Sequence, residues 1–385
     1  MGGIILITAL THYLCTFKMT TADIDNEWED TAEEDGDIEE QGTTEGPAER
    51  LRIVTDRRQE PLRIDKFLMN RIEHATRNKI QQALDAGLIL VNGEAVKSNY
   101  KIRPGDEIVV FETRSTESTE VIPEDIPLNV VFEDDELMII NKPAGMVVHP
   151  GNGNYRGTLV NALAFYLNKE NIDTTALPRV GLVHRIDKNT SGLIVIGKTE
   201  QAMTKLAAQF KKHTVHRRYI ALVWGDVQDD EGTIIAHIGR DQRHRKQMDA
   251  FPDGEHGKEA ITHYKVLERF NYVTLVELRL ETGRTHQIRV HMKHIGHPLF
   301  NDSTYGGDRI VKGTVFTKYK QFVDNCFKVL QRHALHAKEL GMKHPATGEW
   351  IQFDSDLPKD IQEVIEKWRT YTSGMNRQLK ERMKG

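Results

Sequence analysis

Cysteine is nearly missing from this 385-residue chain, which has two, Cys15 and Cys326. Neither lies at metal-ligand spacing from the other, and two thiols build no disulfide framework. A disulfide-stapled secreted fold is therefore excluded, and a reducing, cytoplasmic setting is expected. Long apolar runs are also missing. Ile4–Ile5–Leu6–Ile7 is too short to cross a bilayer, and no basic residue precedes it. The stretch is expected to be neither a membrane helix nor a signal peptide. Met19 opens an ordinary soluble N-terminus and is the expected natural start, which the intact mass of the native protein would check.

Bases are almost missing from one end. Residues 1–49 carry thirteen acids against one base, Lys18, a net charge of −12. The rest carries 51 Lys and Arg against 44 Asp and Glu, a net of +7, so the overall −5 hides a mildly basic body behind an acidic arm. Such a body suits an anionic partner. The arm has too few apolar residues to fold and is expected to be disordered, acting as a solubilising segment.

What is present is an ordinary soluble balance, 38% apolar and 28% charged, with length for two or three domains. No repeat of solenoid length occurs. Residues 50–113 read as a small domain. Leu62, Ile64, Phe67 and Leu68 begin an amphipathic helix, and TRNKIQQALDAG a second, with Thr76 as N-cap and Gly87 as stop. LILVNG and AVK read as strands joined by an Asn92–Gly93 hairpin turn. Lys66 and Arg71 fall on the first helix, and Arg77 and Lys79 near the start of the second. They form either a phosphate-binding face or a solvated one. Residues 114–125 read as a polar linker, 126–374 as one long mixed unit and 375–385 as a basic tail. Strand-like NVVFE, ELMIIN, GLIVIG, RRYIALVWG, AITHYKVLE, YVTLVELRL and ALHAKELGM often follow one another without a helix between, which predicts an α+β unit with a mixed, largely antiparallel sheet.

Three segments can carry chemistry. In Gly181-Leu-Val-His-Arg-Ile-Asp-Lys-Asn-Thr-Ser-Gly192 one carboxylate, Asp187, lies between Arg185 and Lys188. Nearby cations keep a carboxylate ionised, and an ionised carboxylate attacks an electrophilic sugar carbon. The same residues also make a plain turn. In TGRTHQIRVHMKHIGHP a helix begins near Thr285, with Ile288, Met292 and Ile295 on an apolar face and His286, Arg289 and Lys293 on another. The four histidines 286, 291, 294 and 297 do not place three on one helical face, and no cysteine completes a zinc set. In HRRYIALVWG alternation puts Tyr219, Ala221 and Val223 on one side of a strand, where Tyr219 is either core or a plate for a base to stack on.

Taken in order, FEDDELMIINKPAGMVVHPG, GTLVNAL, VHRIDKNTSGLIVIGKT, RRYIALVWG, TGRTHQIRVHMKHIGHPLFND and LHAKELGMKHP resemble the large-subunit ribosomal RNA pseudouridine synthases. The likeness is greatest to members that modify several uridines. RIDKFL, TRNKIQQALDAGLILVNGEAV and IRPGDEI resemble the small RNA-binding domain shared by a small-subunit ribosomal protein and several RNA-modifying enzymes. The family usually has Ser where Thr76 stands, and both residues cap helices. The match covers roughly residues 60–370.

The resemblance implies isomerisation of uridine to pseudouridine on a flipped-out nucleotide, with no cofactor and no metal. It implies Asp187 as nucleophile, Arg185 filling the space the nucleotide leaves, Tyr219 stacking on the uracil and assisting proton removal, and Arg289 pairing with Asp187. Arg284, in the same motif, is the competing partner, or else packs a turn. Large-subunit ribosomal RNA is the expected partner of a monomer that does not use a membrane. Two other classes stand beside this one: a non-catalytic RNA-binding protein, which has no use for Asp187, and a glycoside hydrolase, which needs a second carboxylate beside it.

Overall fold

The computed structural model describes residues 48–57, 59–69, 71–72, 77–112, 121–151, 154–170, 172, 177–244, 247–314 and 316–382. The acidic arm up to residue 47, the cap residue Thr76 and most of the linker lie outside them. The described residues form two compact units, 48–112 and 121–382.

In the small unit, strands β1 (Ala48–Val54), β2 (Ile89–Val91), β3 (Glu94–Ala95) and β4 (Glu107–Glu112) make an antiparallel sheet in the order β1-β4-β2-β3. Helices α1 (Ile64–Met69) and α2 (Arg77–Asp85) share its core. Ile64, Phe67 and Leu68 are buried at helical spacing, as expected. Leu62 falls outside the helix because the chain there is tied to a neighbouring extended segment, Ile102 N–H donating to its carbonyl. Asn92 and Gly93 both take positive φ, 52° and 83°, the pairing a tight hairpin turn demands.

The large unit is built on a ten-stranded sheet. Its strands are β5 (Val130–Glu133), β6 (Leu137–Lys142), β7 (Ser191–Gly197), β8 (His216–Trp224), β9 (Glu231–Arg240), β10 (Met248–Phe251), β11 (Lys258–Arg269), β12 (Val273–Leu280), β13 (Leu335–Lys343) and β14 (Trp350–Asp354). The order is β10-β9-β11-β12-β8-β13-β7-β6-β5, with β14 paired to β13. Every pairing is antiparallel except β13 with β7, which matches the mixed, largely antiparallel expectation. Five helices flank it: α3 (Leu159–Lys169), α4 (Glu200–Lys211), α5 (Gln287–His294), α6 (Thr317–Val329) and α7 (Lys359–Arg382).

Strand β8 has the two faces that its alternation predicted, and both are buried from Tyr219 to Trp224. Ile220, Leu222 and Trp224 pack with α6 and α7 through Tyr319, Val323 and Trp368. Tyr219, Ala221 and Val223 pack on the other side with Ile288 and Met292 of α5 and with Ile186. The candidate site lies on this second side.

Two boundaries read from the sequence shift. Residues 121–125 are not linker: Val121 packs on the large unit's core, and the Asn161 side chain donates to the Ile122 carbonyl. Helix α7 runs through residue 374 without a break, so the basic tail starts as helix.

Candidate active site

The loop before β7 is pinned at both ends. Leu182 bridges to Ile196 of β7, and Val195 N–H donates to His184 Nε2. The His184 ring stacks on Phe210, and burial drops its pKa to about 3. At the other end Gly192 takes φ +118°, and a Cβ there would stand 2.2 Å from the Ala337 carbonyl oxygen. Only glycine lets β7 and β13 meet here. Between these anchors Ile186 is buried beside Tyr219, which turns Asp187 toward a cavity of about 450 Å³. The Lys142 ammonium is buried and donates to the carbonyls of Pro143, Met146 and Lys188, fixing the residue after Asp187 from below.

Asp187 is 24% exposed, and its oxygens face α5. Arg289 Nη1 donates to Oδ2 at 3.1 Å, and His286 Nε2 lies 4.0 Å from Oδ1. Arg289 itself is 6% exposed. Its other nitrogens make a bidentate pair with Asp302, Nε to Oδ2 at 2.8 Å and Nη2 to Oδ1 at 3.0 Å. Asp302 is wholly buried and also accepts from Thr304 and Tyr305 N–H. Burial alone would raise the pKa of Asp187, but the positive charge that His286 and Arg289 can present to it holds the carboxyl well below the ordinary carboxylate range. Burial brings His286 down to about 4, so at neutral pH the facing charge is that of Arg289.

Helix α5 is presented rigidly. Gln287 uses its whole amide: Oε1 accepts from Arg284 N–H and the Thr282 hydroxyl, and Nε2 donates to the Ile261 carbonyl and Thr262 Oγ1. His286 stands just before the helix in left-handed conformation, φ 54°, with its Nδ1 2.8 Å from the Tyr305 hydroxyl. Such strain in a non-glycine residue persists only where surrounding contacts over-determine it. Arg284, the competing partner for Asp187, donates instead to the Glu259 carbonyl. Three of the four histidines of this segment have separate partners: Tyr305 for His286, Thr262 for His291, and the Trp224 carbonyl for His297.

Tyr219 and Arg185 both line the cavity. The Tyr219 ring is nearly buried, and burial raises its hydroxyl pKa. Among the described lining residues Asp187 is the one carboxylate, against Arg185, Arg217, Arg240, Lys258, Arg284 and Arg289. The structure thus brings Asp187, Tyr219, Arg185 and Arg289 into one cavity. The small-unit residues are not among those that line it. Lys66 is exposed, and the Arg71 guanidinium lies 3.8 Å from the centre of the buried Phe67 ring. The side chains of Arg77 and Lys79 lie outside the described residues. Asp302, Tyr305 and His333, close to Asp187 in the fold, were not singled out from the sequence. Asp302 closes the motif that contains Arg289, and an acid downstream of that arginine is the available signal.

Residues 136–294 match the RNA pseudouridylate synthase family, and residues 62–108 match the S4 domain. An uncharacterized RNA pseudouridine synthase of Chlorobaculum parvum is 47% identical over 315 residues, 81% of this chain and 95% of that one. Ribosomal large subunit pseudouridine synthase D of Xanthomonas campestris is 41% identical, over 80% of this chain and 89% of that one. The chloroplastic RNA pseudouridine synthase 2 of Oryza sativa is 38% identical, over 82% of this chain and 81% of that one.

The buried histidines generate a pH prediction. Burial lowers His184 and His333 to about 3, and His286, His291 and His336 to about 4. In the unfolded chain each takes up a proton near pH 6.5, while the folded chain refuses it until near its lowered pKa. The unfolded state therefore binds more protons in this window, and stability falls as pH falls through it, by up to about 1.4 kcal/mol per pH unit for each group. Urea midpoints should drop steeply from pH 7 to pH 5. A flat profile would show that these rings are not held neutral.

Proposed function

The chain belongs to the RNA pseudouridylate synthase family, and from that premise we propose that Asp187 is the nucleophile with which it isomerises several uridines of large-subunit ribosomal RNA. The observation that carries this reading is the single cavity carboxylate, held ionised against Arg289 among cations that attract an RNA phosphate backbone.

The reaction conserves atoms. The N1–C1′ bond of a flipped-out uridine breaks, the uracil turns, C5 bonds to C1′, and the C5 proton leaves for N1 through solvent or protein groups. Asp187 bonds to C1′ as N1 leaves and is released when C5 bonds to C1′, and Arg289 keeps it anionic and aimed. Tyr219 offers its ring to the uracil and its hydroxyl to the C5 proton. Arg185 occupies the space the nucleotide vacates. The S4 domain brings Lys66, Arg71, Arg77 and Lys79 to RNA phosphates. A glycoside hydrolase would need a second carboxylate facing the first, and Asp302 is sealed behind Arg289.

Asp187→Asn, nearly isosteric, should keep RNA binding and lose turnover by ~10³-fold or more, about 4 kcal/mol of barrier. The assay is pseudouridine formation in unmodified ribosomal RNA transcribed in vitro, and turnover within tenfold of wild type would remove Asp187 as nucleophile.

Tyr219→Phe should bind RNA like wild type but turn over slowly. Tyr219→Ala should also lose about 1–3 kcal/mol of binding through lost stacking. Wild-type binding and turnover in both would leave Tyr219 a packing residue only.

The triple variant Lys66→Ala, Arg77→Ala, Lys79→Ala should flatten the dependence of log affinity on log salt by about two to three units, as phosphate contacts vanish. Arg71 is kept because it covers Phe67. A salt titration with an unchanged slope would take the small domain off the RNA.

A further inference from the structure

One short segment, Arg332 to His336, makes three successive contacts with the three residues before Gly192 in the Asp187 loop. Arg332 Nη1 donates to the Asn189 carbonyl at 3.1 Å. His333 Nε2 lies 2.8 Å from Thr190 Oγ1, and His336 Nδ1 lies 3.0 Å from Ser191 Oγ. The next residue of β13, Ala337, meets Gly192 in the sheet's one parallel pairing. All three side chains are buried, and each except His333 has a partner behind it. His336 Nε2 bonds Ser355 Oγ, and Arg332 is held bidentately by Asp360, Nε to Oδ2 at 2.8 Å and Nη2 to Oδ1 at 3.0 Å. Asp360 stands in the first turn of α7, a helix packed on the face of β8 that does not carry Tyr219.

We infer that Arg332, His333 and His336 are positioning residues: they clamp the Asp187 loop to β13, and Asp360 sets that clamp from the far side of the sheet. Among the described residues no other hydrogen bond ties the Thr190 side chain. The Asp187 carbonyl accepts from Thr190 N–H, so a shift at Thr190 is passed straight to Asp187. Asp187 must meet the Arg289 fork and the sugar carbon together, and displacement of a reacting group by an ångström costs orders of magnitude in rate. The neutral His333 ring fits the role, since it bonds the hydroxyl without adding a second cation beside Asp187.

The inference rests on Asp187 as nucleophile. The experiment measures single-turnover rate and RNA affinity of the full-length enzyme on unmodified ribosomal RNA transcribed in vitro, with melting temperature alongside. Thr190→Val should slow the chemical step tenfold or more with affinity within twofold of wild type, and Thr190→Ser should restore it. Thr190→Val combined with His333→Leu should be no slower than the slower single variant, because both remove one contact. Asp360→Asn should slow the step three- to tenfold although Asp360 lies outside the cavity, and it serves if Thr190→Val does not fold. Wild-type single-turnover rates in the folded variants, multiplying losses in the double variant, or a loss that Thr190→Ser does not restore would each overturn the clamp. If Asp187→Asn itself keeps turnover, the nucleophile reading fails first. If Asp187→Asn is dead while Thr190→Val and Asp360→Asn run at full rate, the clamp alone fails.

Discussion

Arg289 stands between two carboxylates, and the geometry of the site depends on that arrangement. An unpaired carboxylate at Asp187's depth would protonate rather than stay charged. A single Arg–Asp pair would keep it charged but leave the guanidinium free to rotate. Asp302 removes that freedom by occupying Nε and Nη2 bidentately, so that Nη1 alone points at Asp187. Two acids against one base leave the trio a net negative charge. Two backbone N–H groups on Asp302 and the cationic cavity wall offset it. A lysine at 289 would keep the charge but not the fork that binds both acids at fixed angles.

The rest of the fold delivers these groups from distant parts of the chain to within a few ångströms. Asp187 comes from the loop before β7 and Arg289 from α5, 102 residues later. They meet because β8 and β13 lie between β12 and β7, so α5, which follows β12, covers the sheet face onto which the loop opens. The closeness of β7 to β13 that Gly192 permits is therefore also a condition for the Asp187–Arg289 pair.

Much of this was legible in the sequence, for uneven reasons. Helices α3 and α4 carry strong caps, Thr158 and Thr199, and their apolar spacing is plain. Strand β8 shows its two faces by simple alternation. Strand β9 hides its alternation because Gly232, Gly239 and His237 interrupt the run, and α6 starts without a capping side chain. Strand β14 exists only as a partner for the end of β13, a tertiary reason that no local pattern carries. At the site, Asp187 and Arg289 came from motif likeness, and the competing Arg284 could be set aside only once Glu259 was seen to hold it. Asp302 and His333 escaped because their importance lies in what they touch. A buried Asp or His reads in sequence like any other.

The electrostatics of the cavity have an internal tension that the structure resolves by burial. A surface that attracts RNA phosphates is rich in cations, and cations close to a carboxylate compete with the sugar for its lone pairs. Here the cation that touches Asp187 is bound on its far side by Asp302, which divides its hydrogen-bonding capacity. The imidazoles nearest to Asp187, His286 and His333, are held neutral by burial and so add dipoles rather than charges. Arg185, Arg217 and Lys258 line the same wall and add to its positive charge. Long-range attraction for a polyanion draws on the whole wall, while the short-range charge balance of Asp187 is set by Arg289 and Asp302. Coulombic steering acts over about a Debye length of 8 Å at physiological salt, while the aim of a carboxylate is set by hydrogen bonds near 3 Å, so both can be arranged within one cavity.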